Sequence, residues 1–148
     1  MQDKRPENPA KTYLRRYRLL LVRRERLLRT IEEAYDRATG ITSKPKEVSV
    51  TGGPAASDRM AEDVARIMDG TAQMKAVVEQ IDKSLAEILT AIDTVPDETQ
   101  KTVLTLRYVE GASWQEIQER MSYESSQIFV FHGRGLMAVR QWMESKDG

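Results

Sequence analysis

Val103-Leu104-Thr105-Leu106-Arg107-Tyr108-Val109-Glu110-Gly111-Ala112-Ser113-Trp114-Gln115-Glu116-Ile117 decides how this chain folds, because one helix ends and another begins within it. Val103, Leu104, Leu106 and Val109 recur on one side of a helix, and Gly111 supplies the left-handed residue that stops it near Glu110. Ser113-Trp114-Gln115-Glu116 is a capping box, in which hydroxyl and carboxylate each satisfy a backbone donor that a new helix leaves open. Trp114, Ile117 and Met121 form the buried face of that helix. Upstream, Pro96 fixes a φ suited to a first helical turn, and Asp97 and Glu98 follow where the helix dipole favours negative charge. Downstream, Ser122, Tyr123 and Glu124 make a turn and Ser125 caps a last helix, whose inner face is Ile128, Phe131, Leu136 and Val139. Two helices joined by a tight turn and braced by a third predict a helix-turn-helix, the geometry that lays its last helix in a DNA major groove.

Towards the N-terminus the periodicity lengthens. Met60, Val64, Ile67, Thr71, Met74, Val78, Ile81, Leu85, Ile88, Ile92 and Val95 alternate spacings of four and three, a heptad that predicts one long helix. Leu14, Tyr17, Leu21, Leu28, Ile31, Tyr35 and Ala38 keep the same phase, interrupted by Arg24, and offer it a partner. Gly70 stands as a weak point, at about 1 kcal/mol relative to alanine. A pair of such helices leaves Val77, Leu89, Leu20 and Leu27 as uncovered apolar flank, which favours a homodimer. Between them, Gly40, Lys44-Pro45-Lys46 and Thr51-Gly52-Gly53-Pro54 predict a loop over 40–56, with Ser57 capping the second long helix. Glu47-Val48-Ser49-Val50 has no second strand to pair with, and Gly52-Gly53 lacks the Lys-Ser/Thr of a phosphate loop. The expected organisation is all-α: a frayed 1–10, an elongated helical hairpin or coiled coil over 11–95, and a three-helix domain over 96–148.

Charge divides the chain more sharply than its zero net value suggests. Residues 1–50 hold thirteen basic and seven acidic side chains, 51–100 four and ten, and 101–148 six and six. The expected DNA reader is therefore neutral, and phosphate affinity needs a positive field from elsewhere. Lys11, Arg15, Arg16, Arg18, Arg23, Arg24, Arg26 and Arg29, opposed only by Glu25, supply one. This block either lies against the acidic middle helix as an ordinary pairing device or forms a phosphate-contacting arm through Arg15, Arg16 and Arg18. His132 is a further candidate phosphate contact.

The run from Val103 to Ile117, with Gln127-Ile128 ahead of His132-Gly133-Arg134, resembles region four of bacterial sigma factors, and most closely the phage transcriptional regulators of the RinA/ArpU type. The resemblance covers the last third of the chain. Elsewhere it extends to layout and length, with Thr42-Ser43-Lys44-Pro45 and Ser57-Asp58-Arg59-Met60 as matching punctuation. It implies a sequence-specific regulator, phage or prophage encoded, acting on double-stranded DNA or on RNA polymerase in the host cytoplasm. It also implies that Ser125, Ser126, Gln127, Val130 and Arg134 face the DNA. The chain departs from the pattern where relatives tend to carry basic residues, at Ser126 and Val130, and where they carry a serine cap, at Glu124. Two alternatives stay open: a small terminase-like packaging protein, and a polymerase-binding factor that no longer reads DNA.

No cysteine and a single histidine leave no familiar nucleophile pair or thiolate metal site. The expectation is a protein without catalysis, cofactor, metal or small-molecule substrate. A polar start and the lack of a long apolar run predict neither a signal peptide nor a membrane span.

Overall fold

The computed structural model describes residues 7–40 and 54–147. The chain is all-α, with α1 Pro9–Thr39, α2 Pro54–Asp93, α3 Glu98–Leu104, α4 Trp114–Met121 and α5 Ser125–Lys146, and with a π turn, Thr105–Val109, continuing α3. It divides into two compact units, one of Met1–Leu20 with Ile81–Gly148 and one of Leu21–Gln80. The expected loop, with Glu47 to Val50 and Gly52-Gly53, lies outside the described residues over 41–53.

In the first unit, α1 starts at Pro9 because Asn8 Oδ1 accepts the Ala10 N–H at 3.0 Å. Ala10 is fully buried, so the end of the expected frayed segment is a capped helix start. Ala10 and Leu14 from α1 join Ile88, Ala91, Ile92 and Val95, Leu104 and Tyr108, and Leu136 and Val139 in one core. The expected boundary between 95 and 96 runs through that core. A second cluster, Val103, Leu106, Ala112, Ile117 and Ile128, holds α3, α4 and the start of α5 together, with Trp114, Met121 and Phe131 packed around it. α3 and its π turn are the wall between the clusters: Leu104 and Tyr108 face one, Val103 and Leu106 the other. The Glu110 N–H donates to the Thr105 carbonyl at 3.1 Å, closing the wider turn. A Cβ on Gly135 would stand 3.0 Å from Leu104, so α3 and α5 meet closely at this glycine.

The helix ends follow local chemistry, with three corrections. Asp97 caps α3 by accepting the Gln100 N–H at 2.9 Å, which leaves Pro96 outside the helix rather than in its first turn. Ser113 accepts the Glu116 N–H at 3.1 Å, the first half of the capping box, and Gly111 takes φ +73°. At α5 the cap position falls on Glu124, whose side chain makes no capping bond, and Ser125 is already helical. α2 is helical from Pro54, so Ser57 lies inside it rather than at its start.

In the second unit, α1 and α2 run antiparallel: Ile31 meets Gly70, and Arg37 Nε donates to Asp63 Oδ1 at 3.1 Å. The buried stripe of α2 here is Asp63, Gly70 and Val77 with half-buried Ile67 and Met74. That stripe keeps Ile67 and Met74 of the expected heptad and moves its other row by one residue, from Val64, Thr71 and Val78 to Asp63, Gly70 and Val77. Val77 is 1% exposed, whereas Met60, Val64 and Val78 are 55%, 43% and 42% exposed. α1 turns the same way, burying Ala34 and half-burying Leu27 while Leu28 and Tyr35 stand out. Gly70 admits a closer helix approach than Thr71 would, and Arg37 gives the Asp63 carboxylate a partner, which together favour this face. Among the described residues one ion pair joins α1 to α2, Arg37 with Asp63, so the arginines up to Arg29 pair with no α2 carboxylate.

The sign expected for Gly70 reverses. A Cβ there would sit 2.6 Å from Ile31 Cγ1. Overpacking of this kind costs about 1–3 kcal/mol, against about 1 kcal/mol regained in helix propensity. Gly70→Ala is expected to lower the melting temperature; a rise would show that Ile31 moves aside freely.

Candidate nucleic-acid interface

α4 and α5 are joined by Ser122, Tyr123 and Glu124. Ser122 takes the left-handed conformation at φ 58° and donates its N–H to the Gln118 carbonyl, turning the chain sharply after α4. Ile128 is fully buried in the second cluster and anchors the first turns of α5. Around that anchor Ser125, Ser126, Gln127, Val130 and Arg134 are all exposed. Ser126, Val130, Gly133, Arg134 and Met137 follow one another at helical intervals on a single side, with Gln127 at its edge. Ser126, Gln127, Val130 and Phe131 line a depression of about 260 Å³. The side carries one cation, Arg134, and no ion pair to it occurs among the described residues. Ser126 and Gln127 give it polar groups, and Val130, Met137 and neighbouring Phe129 apolar ones.

The other four expected contacts separate. Arg15 and Arg18 line a cavity of about 370 Å³ together with Lys11, Arg107, Tyr108, Gly111 and Trp114. Arg16 does not, because its guanidinium lies over the Tyr13 ring, 5.6 Å from the centroid, and Tyr13 packs against Trp142. His132 is half-buried, with Nε2 2.7 Å from the Tyr108 hydroxyl and its ring stacked on Tyr108 and edge-on to Trp114. Burial first, then the charges of Lys11 and Arg107, push its pKa down to about 4, so it carries no charge near neutral pH. Burial likewise pushes Tyr108 up to about 12. His132 is thus a neutral packing and hydrogen-bonding group, not a cation offered to phosphate.

Two cations of the cavity, Arg18 and Arg107, are held by groups that leave their charge intact. Arg18 donates to the Val109 carbonyl at 3.4 Å and its guanidinium packs against Gly111. Arg107 donates to the Ala112 carbonyl at 3.2 Å and lies over the Trp114 ring at 4.4 Å. Arg15 pairs with Glu7 at 2.5 Å on the surface. Lys11, Arg15 and Arg18 share one face of α1 at helical spacing, a signal present in the sequence. Arg107 joins them only because the π turn and the stop at Gly111 bring it there.

No family model, curated protein or solved structure matches the chain. Among the described residues no three potential metal ligands gather, and no helix is long and apolar enough to cross a membrane.

Proposed function

We propose that this protein is a phage-encoded transcriptional regulator that binds double-stranded DNA, with α5 as its recognition helix. The observation that carries the reading is the edge of α5 from Ser125 to Arg134, exposed as a helix while Ile128 fixes it to α4. Such an edge fits a major groove, where Gln127 can bond an adenine and Arg134 a guanine or a phosphate. Lys11, Arg15 and Arg18 of α1, in the same compact unit, supply the positive field that residues 101–148 lack. Self-association through the second unit suits this role, since two copies on a pseudo-palindrome multiply affinity. Exposed Leu28, Tyr35, Met60, Val64 and Val78 give that unit an apolar flank for it.

The test is selection of bound sequences from random duplexes, followed by Gln127→Ala on the selected site. Specific binding is expected to weaken by about 1–3 kcal/mol while random duplex binding stays nearly unchanged. Equal loss on both duplexes would remove base reading by Gln127. Val130, Phe129 and Met137 favour a second reading, in which the same face docks on RNA polymerase. Retention of polymerase without salt-sensitive duplex binding would select it.

A further inference from the structure

We propose that the cavity lined by Lys11, Arg15, Arg18 and Arg107 is a phosphate-binding pocket, filled by a backbone phosphate of nucleic acid or by the phosphate of a small phosphorylated molecule. Four cations from two distant stretches converge on a space of about 370 Å³. Like charges repel when brought together, so such a gathering is stable where carboxylates or a bound anion offset it. Here the carboxylate share is small. Glu7 pairs with Arg15, Glu110 pairs with Arg120, and no ion pair to Lys11, Arg18 or Arg107 occurs among the described residues.

The bracing also suits phosphate. Carbonyl bonds and the Trp114 ring fix the planes of Arg18 and Arg107 without using all their N–H groups, leaving donors for a tetrahedral anion. Lys11 and Arg15, the latter beside Glu7, add charge from one face of α1. The aromatic wall of Tyr108 and Trp114 lowers water access on one side, which strengthens those bonds. The volume exceeds that of one phosphate and leaves room for an attached sugar or a second phosphate.

The pocket does not depend on base reading by α5, and the two claims fail separately. His132, the single histidine, is a built-in reporter, because Lys11 and Arg107 help to hold its pKa down. An anion between them offsets that field and moves the His132 titration upward. The probes are pyrophosphate and a short random duplex, read by calorimetry and by the His132 ring resonance. They are applied to the intact chain, to Lys11→Gln/Arg15→Gln, and to Arg16→Gln as the control outside the cavity.

Saturable pyrophosphate binding that raises the His132 pKa and weakens about tenfold or more in the double variant assigns the pocket to a phosphorylated molecule. A duplex salt slope that falls by about 2 in the double variant, without pyrophosphate binding, assigns it to a backbone phosphate. Arg16→Gln is expected to match the intact chain in both arms. Identical behaviour of the double variant and the intact chain towards both probes, or no binding of either, overturns the proposal. Pyrophosphate binding without any duplex binding leaves the pocket standing while the DNA reading falls.

Discussion

Leu14→Ala is expected to destabilise the unit that contains α3, α4 and α5 by about 2–5 kcal/mol, although Leu14 lies far from them in sequence. Its side chain is fully buried against residues of α2, α3 and α5 in the larger core. Removing it deletes apolar contacts and leaves a cavity lined by branched side chains that cannot all move inward. The measurement is urea unfolding followed by tryptophan fluorescence. Both tryptophans, Trp114 and Trp142, belong to this unit and so report on it alone. An unchanged midpoint would mean that α1 does not pack there, and that the C-terminal helices close their own core.

Ile128→Ala is the second large effect, again about 2–5 kcal/mol, and its companion Val130→Ala is expected to stay within about 0.5 kcal/mol. The two residues are neighbours on α5, yet one is sealed in the smaller cluster and the other is 48% exposed. Stability and duplex binding should therefore separate. Ile128→Ala loosens the first turns of α5 and lowers both, whereas Val130→Ala alters binding in a fold of unchanged midpoint. Equal stability losses would place Val130 in the core and remove the exposed edge on which DNA binding rests.

Helix ends governed by their own residues were legible in the sequence. Gly111 and Ser113 act through backbone conformation and a hydroxyl three residues from its donor, and both stand where their chemistry predicts. The exposed side of α5 was legible for the same reason, since Ile128, Leu136 and Val139 fix its inner face. What tertiary approach decides was not. Asp63 and Gly70 are poor core residues by composition; Gly70 is buried because it lets Ile31 come close, and Asp63 lies where Arg37 pairs with its carboxylate. The π turn has no sequence marker, yet it sets where Arg107 and Tyr108 point. The cavity was half legible: spacing puts Lys11, Arg15 and Arg18 on one face of α1, while their meeting with Arg107 is a product of the fold.

The glycine against Ile31 also limits how α1 and α2 can slide. A slip of one heptad would set Ile31 on the carboxylate of Asp63 or on the branched side chain of Val77, and would strip Arg37 of its partner. Neither neighbour offers the notch that Gly70 does. The pair behaves as a latch with one position: it can flex or part, but it has no second tooth on which to catch.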